Sequence, residues 1–191
     1  MKQKSSSTRV PMKHFATAAL MLNLGVAGIY AQPLNMTLSG TNAPSMIDLG
    51  TGTPASEYSL DGNGTLGLFT LRTVSASAAS PQQSSTCSGL YIPVLAGEGV
   101  FRFKDGSLLK VTLTGGSDCI DLAAGEAHCI RIFQVTGGTD RFKNASGNDV
   151  TLTMTVTPVV PGKLVFFTVT GAIAGTISGV GVRQGSQGGQ P

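Results

Sequence analysis

Asp118, Asp121, Glu126, His128 and Arg131 crowd into one short segment, the best candidate polar cluster in this sequence. A carboxylate beside an imidazole can carry a proton to and from a substrate, so His128 with Asp121 or Glu126 is a candidate acid/base pair. A solvated hairpin tip carries the same residue types with no chemistry at all. Arg131 is flanked by Ile130 and Ile132, and Arg102 by Phe101 and Phe103. Neighbours on a strand face opposite ways. Each arginine therefore faces water or, if its face lines a cavity, anchors a ligand carboxylate.

Cys87, Cys119 and Cys129 are the sequence's three cysteines. Cys119 and Cys129 flank a segment centred on Ala124-Gly125, and a hairpin there would set them opposite one another. The expected disulfide therefore joins Cys119 with Cys129 and leaves Cys87 buried and free or paired with another molecule. Cys119, Asp121, His128 and Cys129 lack the close-paired ligand spacing of zinc sites, so no metal is expected. A Cys87 nucleophile has no histidine near it in sequence. No P-loop, nucleophile elbow, zinc-protease helix or dinucleotide fingerprint occurs, and no cofactor is expected.

The elements that must position these residues read as strands. Residues 150–156 alternate Val150, Leu152, Met154 and Val156 with threonines, a strand with aliphatics inward and hydroxyls toward water. Residues 34–39 and 65–75 also read as extended. Residues 41–63 are rich in Gly, Pro, Ser and Asp and read mainly as loop, with a short strand at 46–49. Residues 75–88 read as an exposed connection, and Pro93 suits an edge or a bulge. Around Lys104-Asp105-Gly106, a three-residue loop with Gly106 left-handed pairs Phe103 with Ser107. That register sets Phe101 on one face with Leu109, Val111 and Leu113, which burial favours over the two-residue turn. Cys129, Arg131, Phe133 and Val135 share a face of the following hairpin. Residues 164–170 and 172–179 read as a last strand pair bent near Gly171.

Residues 1–31 read as a secretory leader, with Lys2, Lys4, Arg9 and Lys13 ahead of an apolar stretch and Ala31 at the cut. The apolar stretch is shorter than the roughly 20 residues of a bilayer span. The expected organisation is a leader at 1–31, one β domain at 32–180 and a flexible tail at 181–191. Of the 13 Lys and Arg residues, four leave with the leader, and nine remain against ten Asp and Glu. No basic face for nucleic acid is expected from that balance. With no aromatic girdles and a threonine-rich outward face, stable membrane insertion is not expected either. The expected location is secreted or periplasmic, where disulfides persist. Three sequons begin at Asn35, Asn63 and Asn144 and matter only where the host glycosylates exported chains. Short strands joined by tight turns make an antiparallel meander. Closing it into a single up-and-down barrel of about eight strands removes both edges and the uncovered face. A β-sandwich is the alternative.

The run Gly137-Gly138-Thr139-Asp140-Arg141-Phe142-Lys143-Asn144-Ala145-Ser146-Gly147 resembles the Gly-Thr-Gly-x-Phe-x-x-Ala-x-Gly stretch of allene oxide cyclase-like and dirigent-like barrels. It is also similar to small exported bacterial proteins of unassigned role. Asp140 stands where the pattern has its second glycine. The resemblance spans about residues 97–179 and implies an eight-stranded antiparallel barrel with a central cavity. No active-site residue of those families carries over. From the residues themselves, Phe142 plugs a barrel end, while Arg141 or Asn144 is the ligand-binding alternative. Three functions are expected in order: a non-catalytic holder of a small apolar ligand, a cyclase or stereochemistry-directing enzyme, and a structural or adhesive surface domain. Candidate ligand contacts are Arg102, Arg131, His128 and Phe142. A homo-oligomer is compatible with each.

Overall fold

The computed structural model describes residues 31–163 and 165–181. Nearly all of the expected leader, Leu164 and the expected tail after Gly181 lie outside the described residues. Eight antiparallel strands follow in order: β1 (Gln32–Ser45), β2 (Ala55–Gly64), β3 (Phe69–Ser77), β4 (Leu90–Phe103), β5 (Leu108–Asp121), β6 (Glu126–Gly138), β7 (Gly147–Pro158) and β8 (Phe167–Ile177). Each pairs with the next, and β8 pairs with β1, so the sheet closes into a barrel rather than a sandwich. Closure gives every strand two neighbours.

Period-2 alternation does most of the positioning. Val150, Leu152, Met154 and Val156 of β7 are buried, and the threonines between them face outward. On β4 and β5, Phe101 lies opposite Leu109 and Arg102 opposite Leu108. The Phe103 amide donates to the Ser107 carbonyl, and Gly106 has φ +85°, so the three-residue loop is the one that forms.

Three segments depart from the sequence expectation, while Pro93 stands beside a bulge of β4 as expected. β2 occupies a segment expected to be loop, and 46–49 is not a strand. The turn-forming composition of β2 hides its pattern, in which Tyr58 and Leu60 point inward. Gly62 has a packing reason, since a Cβ there would strike the Thr37 carbonyl and the Phe69 ring. β8 is one strand rather than a bent pair, with Gly171 opposite Leu38 on one side and Met154 on the other. Pro93 lies within β4, where pairing with β5 is interrupted after Pro93–Ser117 and resumes at Glu98–Thr112.

The two ends of the barrel are built differently. At the first end, a 3-10 turn at Asp140–Phe142 lays Phe142 over the opening, fully buried, with its ring 4.7 Å from that of Phe103. Asp140 has φ +50°, the left-handed conformation for which the resembled pattern uses glycine. Arg141 ties this end together. It pairs with Asp105 at 2.9 Å, donates to Ser107 Oγ and to the Leu66 carbonyl, and stacks over Phe103 and Phe142. The second end carries the 46–54, 78–89, 122–125 and 159–166 connections, and Met46, Ile47, Leu122, Val160, Val165 and Phe166 are exposed there.

Candidate functional site

The polar segment at 118–131 is divided by the barrel wall. A bulge at β5 between Leu113 and Gly115 shifts the register with β6 by one residue. Beyond it Gly116 lies opposite Arg131, Asp118 opposite Cys129, and Cys119 opposite His128. A one-residue shift reverses every side chain. Asp118, Cys129 and Arg131 therefore turn inward, and Cys119 and His128 turn outward.

This register corrects the expected disulfide. Cys119 and Cys129 sit one position out of register on opposite faces of the wall, and the bond joins Cys87 to Cys119 instead. It pins the 78–89 connection against the outside of β5. Cys129 is the free cysteine, buried in the interior. Burial, followed by the charge of Asp118, pushes its thiol far above the ordinary range, which makes it a poor nucleophile.

Arg131 is 2% exposed, so the reading in which it faces water is also corrected. Its Nη1 lies 2.7 Å from Asp118 Oδ1 and donates to the carbonyls of Ser117 and Ile130. Its Nη2 donates to Tyr58 Oη at 2.8 Å. β2 and β6 are four strands apart in a ring of eight, so this contact spans the interior from wall to wall. Beside it, the positions of β4 opposite Thr73 and Ser75 are Gly99 and Gly97, which carry no side chain. Arg131 Nε and Ser75 Oγ are buried without hydrogen-bond partners. Burial, opposed by the Arg131 charge and assisted by Asp118, pushes the Tyr58 hydroxyl up to about 12. The guanidinium keeps its proton more firmly than usual: burial alone would weaken it, but Tyr58 and Asp118 outweigh that.

The outward half of the cluster lies at the surface. His128 is 61% exposed at its side chain and pairs with Glu126 at 3.2 Å. Asp121 accepts the amides of Ala123 and Ala124, which lower its pKa and fold the tip back on itself. Among the described residues, no group of three or more His, Cys, Asp or Glu side chains could hold a metal ion.

The other candidates separate. Phe142 belongs to the closure of the first end. Arg102 points away from the interior into an open outer cleft of about 710 Å³ across β1–β4. A second outer groove, about 670 Å³, runs beside the disulfide and His128. Sequence reasoning missed Tyr58, whose only signal is its alternation with Leu60 inside a turn-like segment. It also missed the inward turn of Asp118, signalled by Gly115-Gly116. Gly116 has φ +142°, and a Cβ on it would strike the Ile130 carbonyl. No protein-family model matches this chain, and no curated protein matches it.

Proposed function

We propose that this chain is an exported, non-catalytic barrel that works from its outer surface as a binding or adhesive module. The observation that carries this reading is where the open space lies. The interior is occupied by Met36, Leu71, Phe101, Phe133 and Leu152 in the middle, Phe142 at one end and the Arg131–Tyr58 strut toward the other. The clefts of several hundred Å³ lie on the outside. A small apolar ligand in the lumen would have to displace these side chains, so that reading has less support. An enzyme needs titratable groups converging on a reachable space. Asp118 and Arg131 neutralise one another inside the wall, while His128 stands outside it. Export is supported by the leader-like residues 1–31 and by the Cys87–Cys119 bond, which an oxidising compartment maintains. Among the described residues no helix is long and apolar enough to cross a membrane. The barrel closure and the Phe142 turn support the resemblance in shape to allene oxide cyclase-like and dirigent-like proteins, and no activity comes with it.

Native mass spectrometry of the chain recovered from its own export compartment tests this reading. The expected species carries one disulfide and no small molecule, and the same preparation sediments with extracellular or envelope material. A stoichiometric small ligand, released only on unfolding, would overturn it in favour of a carrier or an enzyme.

A further inference from the structure

Arg72, Arg102, Lys104 and Lys110 are all exposed on the outside of β3, β4, β5 and the loop between the last two. The register groups them. Arg72 and Lys110 lie opposite Val100 from either side, and Arg102 is the next outward position along β4. Strands are about 5 Å apart and alternate residues about 7 Å apart, so neighbouring cations in this set stand within a few ångströms of side-chain reach of one another. Among the described residues none of the four forms a salt bridge. The acids around them are Asp105, next to Lys104 and paired with Arg141, Glu57, opposite Val74 on β2, Asp61, opposite Thr70, and Glu98, opposite Val74 and Thr112; among the described residues no ion pair joins any of these to the four cations. Elsewhere among the described residues, Arg131 and Arg141 are consumed by buried pairs, leaving Lys143 and Lys163 as the other exposed cations.

The 710 Å³ cleft begins at this face. Arg102 and Lys104 form one wall, and Ser39, Asp61 and Asn63 stand across from them.

We propose that this outer face binds an acidic polysaccharide, with Arg102, Lys104, Arg72 and Lys110 on its carboxylate or sulfate groups and the polar wall on its hydroxyls. The inference rests on the reading of the chain as an exported module that works from its outside. Guanidinium and ammonium groups pair with such anions, and hydroxyl, amide and carboxylate side chains match sugar hydroxyls. Single-stranded nucleic acid also carries repeated anions, but its binding sites stack bases on aromatic rings. Around the four cations no aromatic side chain among the described residues is exposed: Phe69, Phe101 and Phe103 are buried, and Tyr91, on the outward face of β4, lies at its far end opposite Cys119.

The test is titration of the oxidised protein with polygalacturonate, heparin, neutral dextran and poly(dT), each at several salt concentrations. Polygalacturonate or heparin is expected to bind, and with about four phosphate-like contacts the affinity falls about 100-fold between roughly 50 and 200 mM salt. Arg102→Glu is expected to weaken binding at least about tenfold, and Arg102→Glu with Lys110→Glu to abolish it. Lys143→Glu, away from this face, leaves it unchanged. Circular dichroism verifies that each variant is folded. Failure of both acidic polymers, equal binding of dextran, tighter binding of poly(dT), or indifference to Arg102→Glu each overturns the inference. None of these results places a ligand in the lumen, so the reading of the chain as an outside-working module would still stand on its own test.

Discussion

Arg131 shows how one side chain decides what this interior can do. Its guanidinium is held by Asp118 and by Tyr58 on the opposite wall. Removing only the cation leaves a mostly buried carboxylate and a buried hydroxyl without their partner. Arg131→Ala is therefore expected to cost about 3 kcal/mol in urea unfolding. Replacing both charges, as Arg131→Met with Asp118→Leu, is expected to cost clearly less, because no lone charge remains inside. Equal losses would mean that the strut contributes by packing alone. Tyr58 adds a pH dependence of definite sign. Unfolded, its hydroxyl ionises near 10, whereas in the barrel it holds its proton to about 12. Below 10 both states keep the proton and the group contributes no slope. Between 10 and 12 the unfolded state alone loses it, so stability falls by about 2–3 kcal/mol as pH rises through that window. Stability measured by denaturation at stepped alkaline pH checks this. Tyr58→Phe is expected to remove that part of the slope, at about 1–2 kcal/mol of neutral-pH stability for the Arg131 Nη2 left without its hydroxyl partner.

At the scale of elements, the loop between β4 and β5 is the most sharply specified. Gly106 holds φ +85° in open space, so a methyl group there meets backbone strain and no neighbour. Gly106→Ala is expected to lower stability by about 1 kcal/mol in thermal or denaturant unfolding, with the Phe101–Leu109 register kept. A loss of several kcal/mol would mean that the register had slipped. This loop was legible because only one register buries Phe101 with Leu109, Val111 and Leu113. The alternation of β7 was legible for the same reason. β2 was not, because its glycines serve close strand approach and its Asp and Ser face water, which together imitate a loop. The disulfide was not legible because a single bulged residue in β5 decides which cysteine faces out. Two adjacent glycines mark that bulge, but nothing local states its size. The candidate site was half legible: the residues of the polar segment were visible, and their division between the two sides of the wall was set by the same bulge.

For the whole molecule, the question is what holds a closed barrel shut when its two ends are so different. The first end is locked by Phe142 and Arg141, which join three connections. The second end has longer connections with exposed aliphatic side chains, and its main cross-link is covalent. Cys87 and Cys119 lie 32 residues apart, so their bond restricts the unfolded chain over residues 87–119, which hold β4, the 104–107 loop and most of β5. On the chain-entropy account this contributes about 3–4 kcal/mol. Cys87→Ser is therefore expected to destabilise the protein by about that amount, and Cys129→Ser to leave the bond intact with a smaller packing loss. Thiol titration checks the assignment independently. The native protein should show no reactive thiol, since Cys129 is buried with a raised pKa. Unfolding without reductant should expose one thiol, and Cys129→Ser should abolish it. If Cys87 were instead the thiol that appears, the outward face of Cys119 and the bulge that produces it would both be wrong. The division of the polar segment into a sealed strut and an exposed tip would then fail with them.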